Sequence, residues 1–234
     1  MTEAKWCAAN DPQEMLHYFR LRYIRRTASD RKLHLFSLAC VRRAIHLVPD
    51  ELGALARAFL EAATVVHDGR QTEDAVAHAH DQLFQATLPK HLDEEAVLAV
   101  LEAGRSRGDC LEQSSRVAGI AVSAVANAAV WPLLQEAAGA HTHLVQDEAR
   151  ARERAAQADL LRHIMGNPFR PLTQPAYFPA NAVQLAESLH HGADCAFALR
   201  DALLEVDHGE LADHFSETEH PKGCWALDLI LGKA

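Results

Sequence analysis

The sequence is poor in aromatic residues, which make up 6% of its 234 positions, and it holds only 11 glycines. With β-branched residues also sparse, that composition argues against sheets, and the absence of glycine periodicity excludes collagen-like chains. Cysteine is limited to five scattered residues (Cys7, Cys40, Cys110, Cys195 and Cys224), an odd number with no C-x-x-C pair. A disulfide framework is thereby excluded, and the pattern reads as buried thiols in a reducing compartment. The Gly-x-x-x-x-Gly-Lys, Gly-x-Gly-x-x-Gly and His-Glu-x-x-His motifs are missing, which weighs against nucleotide-dependent enzymes and metalloproteases of that class. Charge appears at once in Met1-Thr2-Glu3-Ala4-Lys5, with no apolar run behind it, so no secretory signal is expected and the reading is cytoplasmic.

What is abundant is alanine (43) and leucine (30), about a third of the chain and the two best helix formers. The expected fold is all-α: an irregular multi-helix bundle, with enough apolar material (49%) for a packed core. Val117–Leu134 is an uncharged stretch of 18 residues, at the lower limit of a membrane span. Gly119, Ser123, Asn127, Pro132 and many weakly apolar alanines, with no flanking basic cluster, make a buried core helix the reading and membrane partners unexpected.

Helix punctuation is clear along the chain. Asp11-Pro12-Gln13-Glu14 starts a helix expected to reach Arg26, and Ser29-Asp30 starts one ending before Pro49. Further helices are expected from Asp50, from Thr72 and from Asp93 to a left-handed cap at Gly104. Two long ones follow, Cys110–Ala140 with a kink at Pro132 and His141–Met165. Four of the nine prolines lie between Pro168 and Pro179. The expected organisation is a main bundle over 1–167, a Pro-rich connector over 168–180, and a smaller helical portion over 181–234, with its last helix from Cys224.

Two groups of words carry a resemblance. One is Ser29-Asp30-Arg31-Lys32-Leu33 with Ala39-Cys40 and Arg42-Arg43. The other is Gln157-Ala158-Asp159-Leu160-Leu161-Arg162, Gly166-Asn167-Pro168-Phe169-Arg170-Pro171 and Gly223-Cys224-Trp225-Ala226-Leu227-Asp228 with Leu231-Gly232-Lys233. Over about residues 1–50 and 155–234 the chain resembles a paralogous family of planctomycete-type bacterial proteins, a resemblance that implies no activity, cofactor or site. Val41 and Ile45 stand where that family has a second cysteine and an aromatic, and Ser216-Glu217-Thr218-Glu219 where it has a Gly/Pro-rich basic loop.

The formal charge is −9, yet Arg20–Arg43 holds eight basic residues against Asp30 alone, a local +7 that leaves −16 elsewhere. Arg25, Arg26, Arg42 and Arg43 are the candidate partner-binding residues. They suit either an acidic protein surface or nucleic-acid phosphates, set against pairing with the chain's own acidic helices.

Histidine is frequent (15), but His78/His80 and His141/His143 are i,i+2 pairs whose side chains diverge on a helix. Glu14-x-x-His17, Glu187-x-x-His190 and Glu217-x-x-His220 match the spacing of di-metal carboxylate bundles, although composition alone yields about one such match. His214, His220 and Cys224 form the candidate metal set, with Cys40 or His46 as a fourth ligand, against the plainer reading of a loop beside one buried thiol. A nucleophilic Cys224 would have His220 as its base. No catalytic residue and no cofactor is assigned. The expected function is a non-enzymatic interaction module for a protein with an acidic surface; a nucleic-acid-associated regulator comes second and a Cys/His or metal-dependent enzyme third.

Overall fold

The structure, a computed structural model, describes residues 1–20, 28–67, 73–87, 94–104, 109–135, 142–170, 175, 177–217 and 219–233. It is all-α, with no strand among the described residues. The chain divides into two compact units, residues 1–161 and 162–234.

The first unit opens with a helix that the sequence pattern does not announce, α1 (Glu3–Ala8). Thr2 caps it by accepting from the Lys5 N–H, and its buried Trp6 lies edge-on to Phe19 with ring centres 5.5 Å apart. In α2 (Pro12–Phe19) the Asp11 carboxylate accepts from the Gln13 N–H at 2.8 Å and Pro12 occupies the first turn. The expected continuation to Arg26 lies outside the described residues. Ser29 caps α3 (Asp30–Ala44), where Leu35, Phe36, Leu38, Cys40 and Val41 are wholly buried. A 3-10 turn (Ile45–Leu47) separates it from α4 (Asp50–His67), and α5 (Glu73–Thr87) packs on α4.

α6 (Glu95–Ala103) and α7 (Cys110–Gln135) complete the layer against α3. Gly104 does not form the expected left-handed cap: its φ is −89°. Its requirement for glycine is steric, since a Cβ there would lie 1.9 Å from Cζ of Phe59. α7 runs through Pro132. Its segment Cys110–Leu134 is long and apolar enough to cross a membrane, and its buried positions, among them Val117, Ala121 and Ala126, belong to the helix that packs on α2, α3 and α6. α8 (Thr142–Met165) is the charged helix, with Glu148 and Arg152 paired at 2.7 Å one turn apart.

The second unit begins at Arg162, in the last turns of α8, rather than after the Pro-rich stretch. Gly166 leaves the helix at φ +71°, and Asn167 turns the chain by accepting from the Phe169 and Arg170 N–H groups. Positions 171–174 and 176 of the expected connector lie outside the described residues. α9 (Ala180–His190), α10 (Ala196–Leu204), α11 (Gly209–His214) and α12 (Trp225–Leu231) enclose a core of Ala186, Leu199, Leu203, Leu211, Phe215, Leu227 and Ile230.

Candidate metal centre

α11 is short and ends at His214, after which Phe215 is driven fully into the core. The chain must then return to start α12. It does so through a turn in which the Cys224 N–H bonds the Pro221 carbonyl and Gly223 takes φ +83°, a conformation that costs glycine nothing. This tight return carries His220 and Cys224 back beside His214.

The ligand atoms of these three residues all lie within 4.8 Å of one another. Cys224 Sγ is 3.1 Å from His214 Nε2 and 3.8 Å from His220 Nδ1. A tetrahedral ion bound by one sulfur and one imidazole nitrogen holds those two atoms about 3.6 Å apart, so the two measured separations bracket the requirement. Cys224 is fully buried and both rings are half-buried.

The protonation pattern suits the same role. His220 Nε2 meets the Glu217 carbonyl at 2.9 Å. A carbonyl can only accept, so that nitrogen carries the hydrogen and Nδ1 turns its lone pair toward the thiol. Burial, followed by the neighbouring His163 and His220, pushes the His214 imidazole down to about 3. Burial also lowers His220, against the opposing pull of the Glu217 carbonyl. Both imidazoles are therefore neutral near pH 7, the form that binds a cation.

Aromatic rings wall the group: Trp225 lies 5.0 Å from His214, and Phe215 lies 5.5 Å from His214 and 5.0 Å from His220, centre to centre. A fourth side chain, His163 from the last turn of α8, stands with its ring centre 5.1 Å from His214 and 6.3 Å from His220. Its Nε2 pairs with the Glu217 carboxylate at 2.5 Å. Neither His163 nor Glu217 is a candidate on sequence grounds as a partner of this group, although Glu217 is noted there for its spacing to His220. The two residues lie in the loop after α11, where the backbone carbonyl of Glu217, not its carboxylate, meets the His220 ring.

The other sequence candidates are placed elsewhere. Cys40 and His46 belong to the first unit, Cys40 fully buried in α3 with its thiol pushed well up by burial and by Glu153. Arg43 grips the buried carboxylate of Glu153 through two 2.9 Å hydrogen bonds. Arg42 donates to Thr64 Oγ1 and to the Leu60 carbonyl. Arg25 and Arg26 lie outside the described residues. His190 of the second Glu-x-x-His match is buried and bonded by Lys233 Nζ at 2.9 Å.

No protein-family model, curated protein or solved structure matches the chain. The functional reading therefore stands on the chemistry of these side chains.

Proposed function

We propose that this chain is a metal-binding helical protein whose C-terminal unit takes up a divalent ion of the zinc class on His214, His220 and Cys224. The observation that carries the reading is the placement of one buried sulfur and two imidazole nitrogens at near-tetrahedral spacing, with the His220 lone pair turned toward the thiol. Soft thiolate with imidazole selects zinc over magnesium or calcium, which demand oxygen donors. Absence of a disulfide at any of the five cysteines supports a reducing, cytoplasmic setting in which the Cys224 sulfur stays available to a metal ion. The role of the ion is read as structural and non-enzymatic, since Cys224 is buried and Phe215 and Trp225 flank the two imidazoles.

The test is a Co²⁺ titration of the metal-free full-length protein. One equivalent should bind and produce a thiolate-to-cobalt charge-transfer band. Cys224→Ser should remove that band, and His214→Ala should weaken binding. A wild-type protein that takes up neither Co²⁺ nor Zn²⁺ overturns the reading.

An interaction role is a second reading, favoured by large apolar side chains exposed on the first unit. Trp131 is 63% exposed and Leu134, three residues on and on the same face of α7, is 55% exposed. Co-purification with a protein partner that Trp131→Glu abolishes would support it, and a partner-free protein unaffected by that change would remove it.

A further inference from the structure

Three protein ligands leave a tetrahedral ion one position short. In catalytic centres water fills it, and in structural centres a fourth side chain does. Building on the metal reading above, we infer that His163 is the fourth ligand, so that the ion sits in a closed three-histidine, one-cysteine tetrahedron tying the end of α8 to α11 and to the turn before α12.

Ring spacing is the first argument. Two imidazoles on one tetrahedral ion have ring centres about 5 Å apart, given a nitrogen-to-metal distance of about 2 Å. His214 and His220 are 5.2 Å apart, and His163 and His214 are 5.1 Å apart. The third pair, His163 and His220, is 6.3 Å apart, and His163 stands outside the group whose ligand atoms lie within 4.8 Å of one another, so its ring must move inward to complete the set.

Hydrogen bonding is the second argument. The Glu217 carboxylate at Nε2 places the His163 proton on that nitrogen and leaves Nδ1 as the lone-pair donor. A carboxylate behind a ligating imidazole is the usual support of a metal-bound histidine, fixing its orientation and raising its basicity. The same residue orients His220 through its carbonyl, so one loop position sets two of the four ligands.

Charge and access make the third. One thiolate and three neutral imidazoles leave a divalent ion with a net +1, which the adjoining Glu217 carboxylate balances. Cys224 and Phe215 are wholly buried, and Phe215 and Trp225 flank the rings, so a protein ligand fits the remaining side better than exchangeable water.

The experiment uses the Co²⁺-loaded full-length protein and reads its visible spectrum. A closed site gives the intense bands of four-coordinate cobalt, and added azide leaves them unchanged. His163→Gly should bind Co²⁺ about 10- to 100-fold more weakly, lose the four-coordinate intensity, and regain it when free imidazole is added. Helical circular dichroism of the variant separates a lost ligand from a lost fold, and the azide result on wild-type protein stands independently of any variant. A wild-type spectrum that shifts with azide, or a His163→Gly protein with wild-type affinity and spectrum, overturns the inference while the charge-transfer band of Cys224 keeps the metal reading intact. Failure of the wild type to bind at all overturns both.

Discussion

Glu217 engages His220 through its backbone and His163 through its side chain. The carbonyl accepts from His220 Nε2 at 2.9 Å and the carboxylate meets His163 Nε2 at 2.5 Å. The two contacts respond differently to mutation, because only the second belongs to the side chain. Glu217→Ala should leave the His220 tautomer in place and free His163, weakening Zn²⁺ binding about 10- to 100-fold with unchanged helical content. A competition titration against a chromophoric chelator measures this. An affinity equal to wild type would mean that the carboxylate supports nothing beyond the loop.

Gly166 connects the end of α8 to α12. It sits at φ +71°, and a Cβ there would lie 3.0 Å from Cγ of Trp225. Gly166→Ala therefore combines backbone strain with a contact that the indole must yield to, for a loss of about 1–3 kcal/mol in urea unfolding. Gly192 provides the control: at φ +93° it has nothing within 4 Å, so Gly192→Ala carries the backbone term alone and should cost less. Equal losses at both positions would show that the approach of Trp225 is slack.

How much of this could be read from the sequence depends on the range of the interaction. Caps such as Asp11-Pro12 and Ser29 are local chemistry, and the helices they start stand where the spacing puts them. The trio of His214, His220 and Cys224 was legible as a set because its members lie in one short segment. His163 was not, since a residue on a separate helix leaves no spacing signal. α1 leaves no periodic signal, being six residues long with a single buried Trp6. Gly104 departs from the local rule: the usual reason for glycine after a helix is a positive φ, whereas here the reason is the ring of Phe59 from another helix.

Arg43 and Glu153 decide how the basic segment should be regarded. The carboxylate is 6% exposed and is gripped by two guanidinium hydrogen bonds, with Gln157 Nε2 adding a third at 3.1 Å. Arg43→Ala would strand a buried negative charge, costing about 3 kcal/mol given that the arginine side itself is partly solvated. Glu153→Gln, which removes the charge but keeps the shape, should cost less. Urea unfolding of the two variants measures the difference. If Arg43→Ala leaves stability untouched, the pair contributes nothing net to the fold.

His34 and His67 give the first unit an acid limit. Their rings stack at 4.2 Å with only 13° between planes. Burial, then the neighbouring His34 and Arg31, pushes His67 down to about 4 from its ordinary 6.5, and burial also lowers His34. The unfolded chain therefore binds protons that the folded chain refuses between about pH 6.5 and 4. Stability from this pair is fully present above 6.5 and declines as pH falls through that window, levelling off below about 4. After allowance for partial solvent screening, His67 contributes about 2 kcal/mol of that decline. His67→Phe preserves the stack and removes the titration, so its unfolding free energy should vary less steeply over the same interval. An unchanged slope in that variant would place the acid sensitivity in other groups.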